Sequence, residues 1–164
     1  MSDWTRFTKR VTINAKPEAI YRAWATCHGL ESWLLRGAEC SMAAGGERGK
    51  QDYFMSGDRY LWAWHGWGDE ANLRGEILEA NGTDRLKFTF HDPMVVTIAI
   101  LREHETTLVE LRQENIPDDD QGRSTYFVGC GEGWTFYLAN LKSTLEGGID
   151  LRNRDPRLER VINS

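Results

Sequence analysis

The chain predicts an α+β fold in which one antiparallel sheet packs against one long helix, and three observations lead there. From about residue 123 to 147 the apolar residues Phe127, Cys130, Trp134, Tyr137, Leu138, Leu141 and Leu145 recur at helical spacing over several turns. Nearly everything between Gly37 and Glu114 reads instead as strand, with polar and apolar residues alternating. The breaks between those strands are short and rich in turn formers: Asn81-Gly82 with Asp84, Asp92-Pro93, and Glu103 to Thr106. Short connections favour an antiparallel meander, and a helix with one apolar stripe must bury that stripe against it.

The elements follow in order. Phe7, Val11 and Ile13 alternate with polar neighbours between Trp4 and Asn14, which suits a first strand. Pro17 opens a short helix where a missing N–H costs nothing, Glu18 favours its positive end, and Ile20, Ala23 and Trp24 share a face. After His28-Gly29, the spacing of Leu30, Trp33 and Leu34 predicts a second short helix. A weak strand near Glu39 to Met42 precedes a turn at Gly45-Gly46. The run from Arg59 to Trp67 places Tyr60, Trp62 and Trp64 on one face and Leu61, Ala63, His65 and Trp67 on the other. A strand apolar on both faces lies in the middle of a layered structure or faces a cavity. Four more strands are expected at Leu73–Glu79, Leu86–His91, Met94–Arg102 and Thr107–Gln113, for six or seven in all.

Asp118-Asp119-Asp120 with Gly122 reads as a solvated loop feeding the long helix, expected over residues 123 to 146. Gly129, Gly131 and Gly133 fall in its first half, at a cost of roughly 0.8–1 kcal/mol each. Burying the Trp134 ring returns about 4–6 kcal/mol as an upper estimate, so the segment is helical when packed. Gly147-Gly148 supply a left-handed cap, with Ile149 placed for its hydrophobic contact.

At 164 residues and 40% hydrophobic, the chain fits one domain, here residues 1–152, followed by a tail over 153–164. In that tail Leu158, Val161 and Ile162 are spaced for a short helix docked on the body or on a neighbouring subunit. A net charge of -5 argues against a general nucleic-acid binder. Cys27, Cys40 and Cys130 are too sparse for a disulfide scaffold or a zinc site, and free thiols fit a reducing cytoplasm. The N-terminus lacks a signal-peptide core and no run approaches the ~18–20 apolar residues of a membrane span, so a soluble cytoplasmic protein is expected. Seven tryptophans, clustered around Trp62, Trp64 and Trp67, have to be housed.

Several stretches carry a resemblance: Pro17-Glu18-Ala19-Ile20-Tyr21-Arg22-Ala23-Trp24, Leu30-Glu31-Ser32-Trp33, Gly75-Glu76-Ile77-Leu78-Glu79, and Leu86-Lys87-Phe88-Thr89-Phe90. The most specific is Gly133-Trp134, followed by Leu138, Leu141 and Gly147-Gly148-Ile149-Asp150-Leu151-Arg152. In this order, over roughly residues 5 to 152, they resemble the activator of heat-shock-protein-90 ATPase homologue-like branch of the START-like (SRPBCC) superfamily. The resemblance implies a helix-grip fold: two short helices after the first strand, and a curled sheet around a long C-terminal helix with a pocket between. Such pockets often take apolar or aromatic small molecules, and eukaryotic relatives stimulate a chaperone ATPase. The separate N-terminal domain of those co-chaperones is not expected in this chain.

Chemistry is sparse. His28, His65, His91 and His104 lie on different segments without ligand-pair spacing, and Ser124 and Ser143 lack a nucleophile-elbow context. The glycine-rich Gly45 to Lys50 lacks the spacing of a phosphate loop. No catalytic residue, metal or cofactor is assigned. Tyr60, Trp62, Trp64, Phe88, Phe90 and Trp134 read either as core or as the wall of a cavity, with His65 as a polar group inside it. Three functions stay open. The first is a binding module for a small hydrophobic or aromatic ligand. The second is a chaperone-activator-like regulator that binds a protein, with a homodimer also open. The third is a cyclase- or hydrolase-type enzyme using the same cavity.

Overall fold

The computed structural model describes residues 2–158 and 161–162. Seven strands, β1 (Phe7–Thr12), β2 (Gly37–Ser41), β3 (Arg59–Ala63), β4 (Leu73–Ala80), β5 (Arg85–Thr89), β6 (Val95–Glu103) and β7 (Thr106–Glu114), form one curled sheet in the order β1-β7-β6-β5-β4-β3-β2. Every neighbouring pair is antiparallel. Two short helices, α1 (Pro17–Ala25) and α2 (Cys27–Trp33), follow β1, and α3 (Cys130–Leu145) follows β7. This is the α+β, helix-grip arrangement that the strand periodicity and the helical stripe predict.

Thr26 explains why two helices stand where one could run on. Its hydroxyl donates to Arg22 O at 2.9 Å, closing α1, and accepts from Gly29 N at 2.9 Å, capping α2. The turn lets Trp33 Nε1 reach back to Ala23 O at 3.0 Å and stacks Trp24 edge-on against Trp33. Tyr60, Trp62, Ile77, Phe88, Val96, Ile98, Val109 and Leu111 of the sheet join these helices and Trp134, Leu138 and Leu141 of α3 in one buried cluster.

The long helix begins differently from an ordinary one. Gly122–Gly129 is π-helical and runs directly into α3. A Cβ at Gly122 would stand 1.7 Å from Pro117 O, so only glycine admits the chain there, and Asp119 Oδ1 caps Gly122 N at 2.6 Å. One member of the acidic run is therefore a cap rather than a solvated bystander. Phe127 lands edge-on against Trp4 and Phe7, with centroids 4.9 and 5.7 Å away. At the far end, Gly147 takes φ 81° and Gly148 N donates to Ser143 O at 2.7 Å, which is the left-handed cap. The hydrophobic contact expected of Ile149 is not made: the residue is 73% exposed, and Ser143 Oγ binds its carbonyl at 2.7 Å instead.

Beyond the cap, a polar network fastens the chain to the end of α2. Buried Asn140 donates to Trp33 O at 2.7 Å and to Asp150 Oδ1 at 3.0 Å, and accepts from Leu151 N at 2.7 Å. The Arg152 side chain, 0% exposed, donates to Leu35 O at 3.0 Å, to Glu31 O at 3.1 Å and to Asp150 Oδ2 at 2.8 Å. Three carbonyls around the C-terminus of α2 thus find donors from a segment more than a hundred residues later. Burial pushes the Asp150 carboxyl up, but hydrogen bonds from Arg152, Arg154 and Asn140 outweigh it and hold it well below the usual carboxylate range.

Candidate functional site

β3 ends at Ala63, short of the Trp67 that the alternation allows. The reason is Arg36, just after α2: its backbone N–H takes Ala63 O at 2.8 Å, its Nε takes Trp64 O at 3.3 Å, and its Nη2 holds Asp69 Oδ1 at 2.7 Å. The chain from Trp64 to Asn72 is drawn off the sheet into a loop with a short 3-10 turn at Asp69–Ala71. Trp64 becomes half-buried and Trp67 65% exposed.

That detour leaves a groove of about 1020 Å³ between the loop, the end of β5 and the first turns of α3. The volume suits a small organic ligand. Trp64, Phe90 and Trp134 border it, and their rings are contiguous, Trp64 to Phe90 at 6.3 Å and Phe90 to Trp134 at 5.3 Å. Trp67 stands at the mouth, and Phe136 and Tyr137 continue the wall along α3. Gly129 and Gly133 also face it, and a Cβ built at Gly133 would meet nothing within 4 Å.

The other residues read from the sequence as a cavity wall sit elsewhere. Tyr60, Trp62 and Phe88 are buried at 3%, 0% and 0% exposure and are not among the lining residues. Tyr60 stacks on Trp62 at 3.8 Å and donates its hydroxyl to Thr89 O, and Phe88 closes edge-on against Trp62 at 5.0 Å. They form a layer behind the groove. His65 lies on the loop without lining the groove, and burial together with Arg152, Arg154 and Arg36 lowers its pKa.

Gln113 is the polar residue that pattern reading passed over. It is 0% exposed on β7, and its Oε1 accepts from Trp134 Nε1 at 2.9 Å while its Nε2 meets Met94 Sδ at 3.2 Å. The amide fixes the ring plane that faces the groove. A signal existed: Gln113 continues the inward positions Val109 and Leu111 with a polar side chain.

Three other polar groups on the wall, Cys130, His91 and Tyr137, are neutral near pH 7. Burial pushes the Cys130 thiol up, against a hydrogen bond to Gln113 that lowers it, and burial pushes the His91 imidazole down. Burial likewise carries the Tyr137 hydroxyl up to about 12. A protonated thiol is a poor nucleophile, so these groups offer hydrogen bonds rather than charge. Among the described lining residues Glu132 is the one carboxylate and none is lysine or arginine. A second groove of about 540 Å³ between β1 and α3 does contain Lys9, Arg10 and Lys142. Two of those cations are already committed, Arg10 to Glu103 and Glu110, and Lys142 to Glu146 and Thr12 O.

The sequence model of the family described as "Activator of Hsp90 ATPase homolog 1-like protein" matches residues 14–146. The chain belongs to this family. No curated protein matches it by sequence. Among solved structures, a protein from Staphylococcus saprophyticus is similar at a TM-score of 0.67 and 17% identity, covering 90% of this chain and 96% of that one. The Aha1 dimer from Colwellia psychrerythraea is similar at 0.65 and 18%, covering 87% and 97%. A Mesorhizobium loti protein is similar at 0.65 and 20%, covering 86% and 96%. At these identities the likeness concerns the fold. Within this member of the Hsp90-activator-like family, the described residues contain no cluster of metal-ligating side chains and no helix long and apolar enough to cross a membrane.

Proposed function

We propose that this Hsp90-activator-like protein is a binding module that holds a neutral apolar or aromatic small molecule in the groove between α3 and the β3–β4 loop. The observation that carries the reading is the contiguous ring wall of Trp64, Phe90 and Trp134 along an open volume of about 1020 Å³. Burying a ligand ring there removes apolar area on both sides. The neutral thiol and imidazole support binding over group-transfer chemistry. A cytoplasmic location fits three free cysteines.

Nile red, a neutral apolar dye, tests the reading directly. Wild type is expected to bind it saturably at one site. Gly133→Leu fills open space rather than overpacking a core, so it is expected to weaken the dye at least tenfold while leaving the urea midpoint within the range of a surface change, about 0.5 kcal/mol. Absence of saturable binding in wild type would refute the module.

Family membership supports a second reading, stimulation of a chaperone ATPase through a protein contact. Addition of the chain to an Hsp90-type ATPase would raise turnover if it holds. The Colwellia relative is a dimer; light scattering on the purified protein decides whether this chain pairs as well.

A further inference from the structure

The groove is unbalanced in charge. Glu132 is the one carboxylate among its described lining residues, no lysine or arginine stands against it, and no described residue engages it in an ion pair or hydrogen bond. Glu132 follows Gly129 by three residues and precedes Phe136 by four, so it shares a strip of helix surface with two other lining residues. Neighbouring cations are directed elsewhere. Arg36, beside the loop, holds Asp69 at 2.7 Å. Lys9 reaches Gly131 from the β1 side and lines the second groove. The wall itself brings three indoles, Trp64, Trp67 and Trp134, and indole is the side chain whose ring face attracts a cation most strongly. Trp134 turns its N–H, part of the positive ring edge, to Gln113. Trp67 is 65% exposed and has no ring or cation partner among the described residues, so it contributes little to core packing.

We propose that the groove selects aromatic ligands that carry an ammonium group, with the tryptophan faces and the Glu132 carboxylate together supplying the negative potential that favours them. An ammonium cation gains from both sources and meets no like charge among the described lining residues. An anion of the same size meets Glu132 and finds no cation to offset it. The preference therefore comes from what the wall omits as well as from what it holds. Cys130, His91 and Tyr137 add no opposing charge near pH 7. This inference rests on the binding reading above and extends it from neutral rings to charged ones: electrostatics ranks the ligands that the rings already hold.

Three naphthalene probes that differ in charge test it: (2-naphthylmethyl)trimethylammonium, 2-naphthalenemethanol and 2-naphthoate. Each is titrated by calorimetry into wild type and into Glu132→Gln, with Nile red titrations alongside. The cation is expected to bind roughly tenfold tighter than the alcohol, from about threefold each for the ring faces and for an exposed ion pair, and the naphthoate is expected to bind weakest. In Glu132→Gln the cation-to-alcohol ratio should fall about threefold, and raising salt from about 50 to about 500 mM should lower it similarly in wild type. A ratio taken within one protein cancels any general loss of folded material. Equal binding of cation and alcohol, or tightest binding of the naphthoate, overturns the inference and leaves the binding reading in place. A preference untouched by Glu132→Gln also overturns it, because the carboxylate would then play no part. No saturable binding of any probe or of Nile red removes the binding reading, and this inference with it.

Discussion

Two sets of aromatic rings, at most four residues apart on β3, β5 and the residues just beyond their ends, come to lie in different places, one sealed behind the groove and one, with Phe90 still only 7% exposed, along its border. Tyr60, Trp62 and Phe88 are sealed at 3%, 0% and 0% exposure, while Trp64 is half-buried and borders the groove together with Phe90. Residue type does not distinguish the sets; backbone pairing does. Trp62 pairs with Ala38 and Leu73 in neighbouring strands, so its ring is pressed between sheet and helices. Trp64 gives its carbonyl to Arg36 and leaves the ladder. The groove is made by withdrawing one segment of backbone on the sheet side and by glycines, Gly129 and Gly133, on the helix side.

The largest expected difference between the sets is in stability. Trp62→Ala is expected to cost about 3–5 kcal/mol in urea melts, the loss of a ring with no room to relax. Trp64→Ala, on a ring that already faces open space, should cost less than half of that and mainly weaken dye binding. Equal losses at the two positions would mean the groove is closed in solution and the comparison fails.

A smaller effect sharpens the boundary between layer and wall. Gln113→Leu removes the acceptor of Trp134 Nε1 without changing the shape of the site much. It should cost about 1–3 kcal/mol, with Trp134→Phe in the same molecule restoring part of it. Fluorescence anisotropy of a bound dye should drop in Gln113→Leu, since the ring that orients the dye is freed.

The smallest effect is electrostatic and falls on the closed side. Asp58 is buried and paired with Arg48, Nη2 to Oδ1 at 2.9 Å. Burial raises its carboxyl, but Arg48 and Met55 N outweigh that and lower it below the ordinary value. A carboxylate depressed on folding contributes stability that is complete above its unfolded pKa of about 3.9 and is lost as pH falls toward its folded value. The urea midpoint of wild type should therefore drop between about pH 5 and pH 3, and more steeply than that of Asp58→Asn. Parallel slopes would show that the pair does not couple to folding.

Much of the scaffold was legible because it rests on periodicity. The alternation from Leu73 to Gln113 marks β4 to β7 within a residue or two, and the stripe through Trp134, Leu138 and Leu141 marks α3. The end of β3 was not legible, since Trp64, His65 and Trp67 continue its pattern while the group that withdraws them, Arg36, lies far upstream. The π-helical start at Gly122 depends on the Pro117 carbonyl and left no periodic trace. Asn140 and Arg152 were hidden for a different reason: buried polar residues earn their place through partners on other elements, and a pattern of hydrophobicity does not see partners. The short helix expected over Leu158, Val161 and Ile162 falls partly on residues 159–160, outside those described, though Val161 and Ile162 do reach the body of the protein.

The strand order has a consequence for synthesis. From β2 to β7 each strand pairs with its successor, so five hairpin-like contacts close as soon as the next strand is made. β1 is the exception, because Phe7 pairs with Gln113 and Thr12 with Leu108. On a ribosome the first strand produced is the last to find its partner, and the loop it closes spans most of the domain. While it waits it is an unpaired strand, and Lys9 and Arg10 in its centre supply the charge that keeps such a strand from templating another chain.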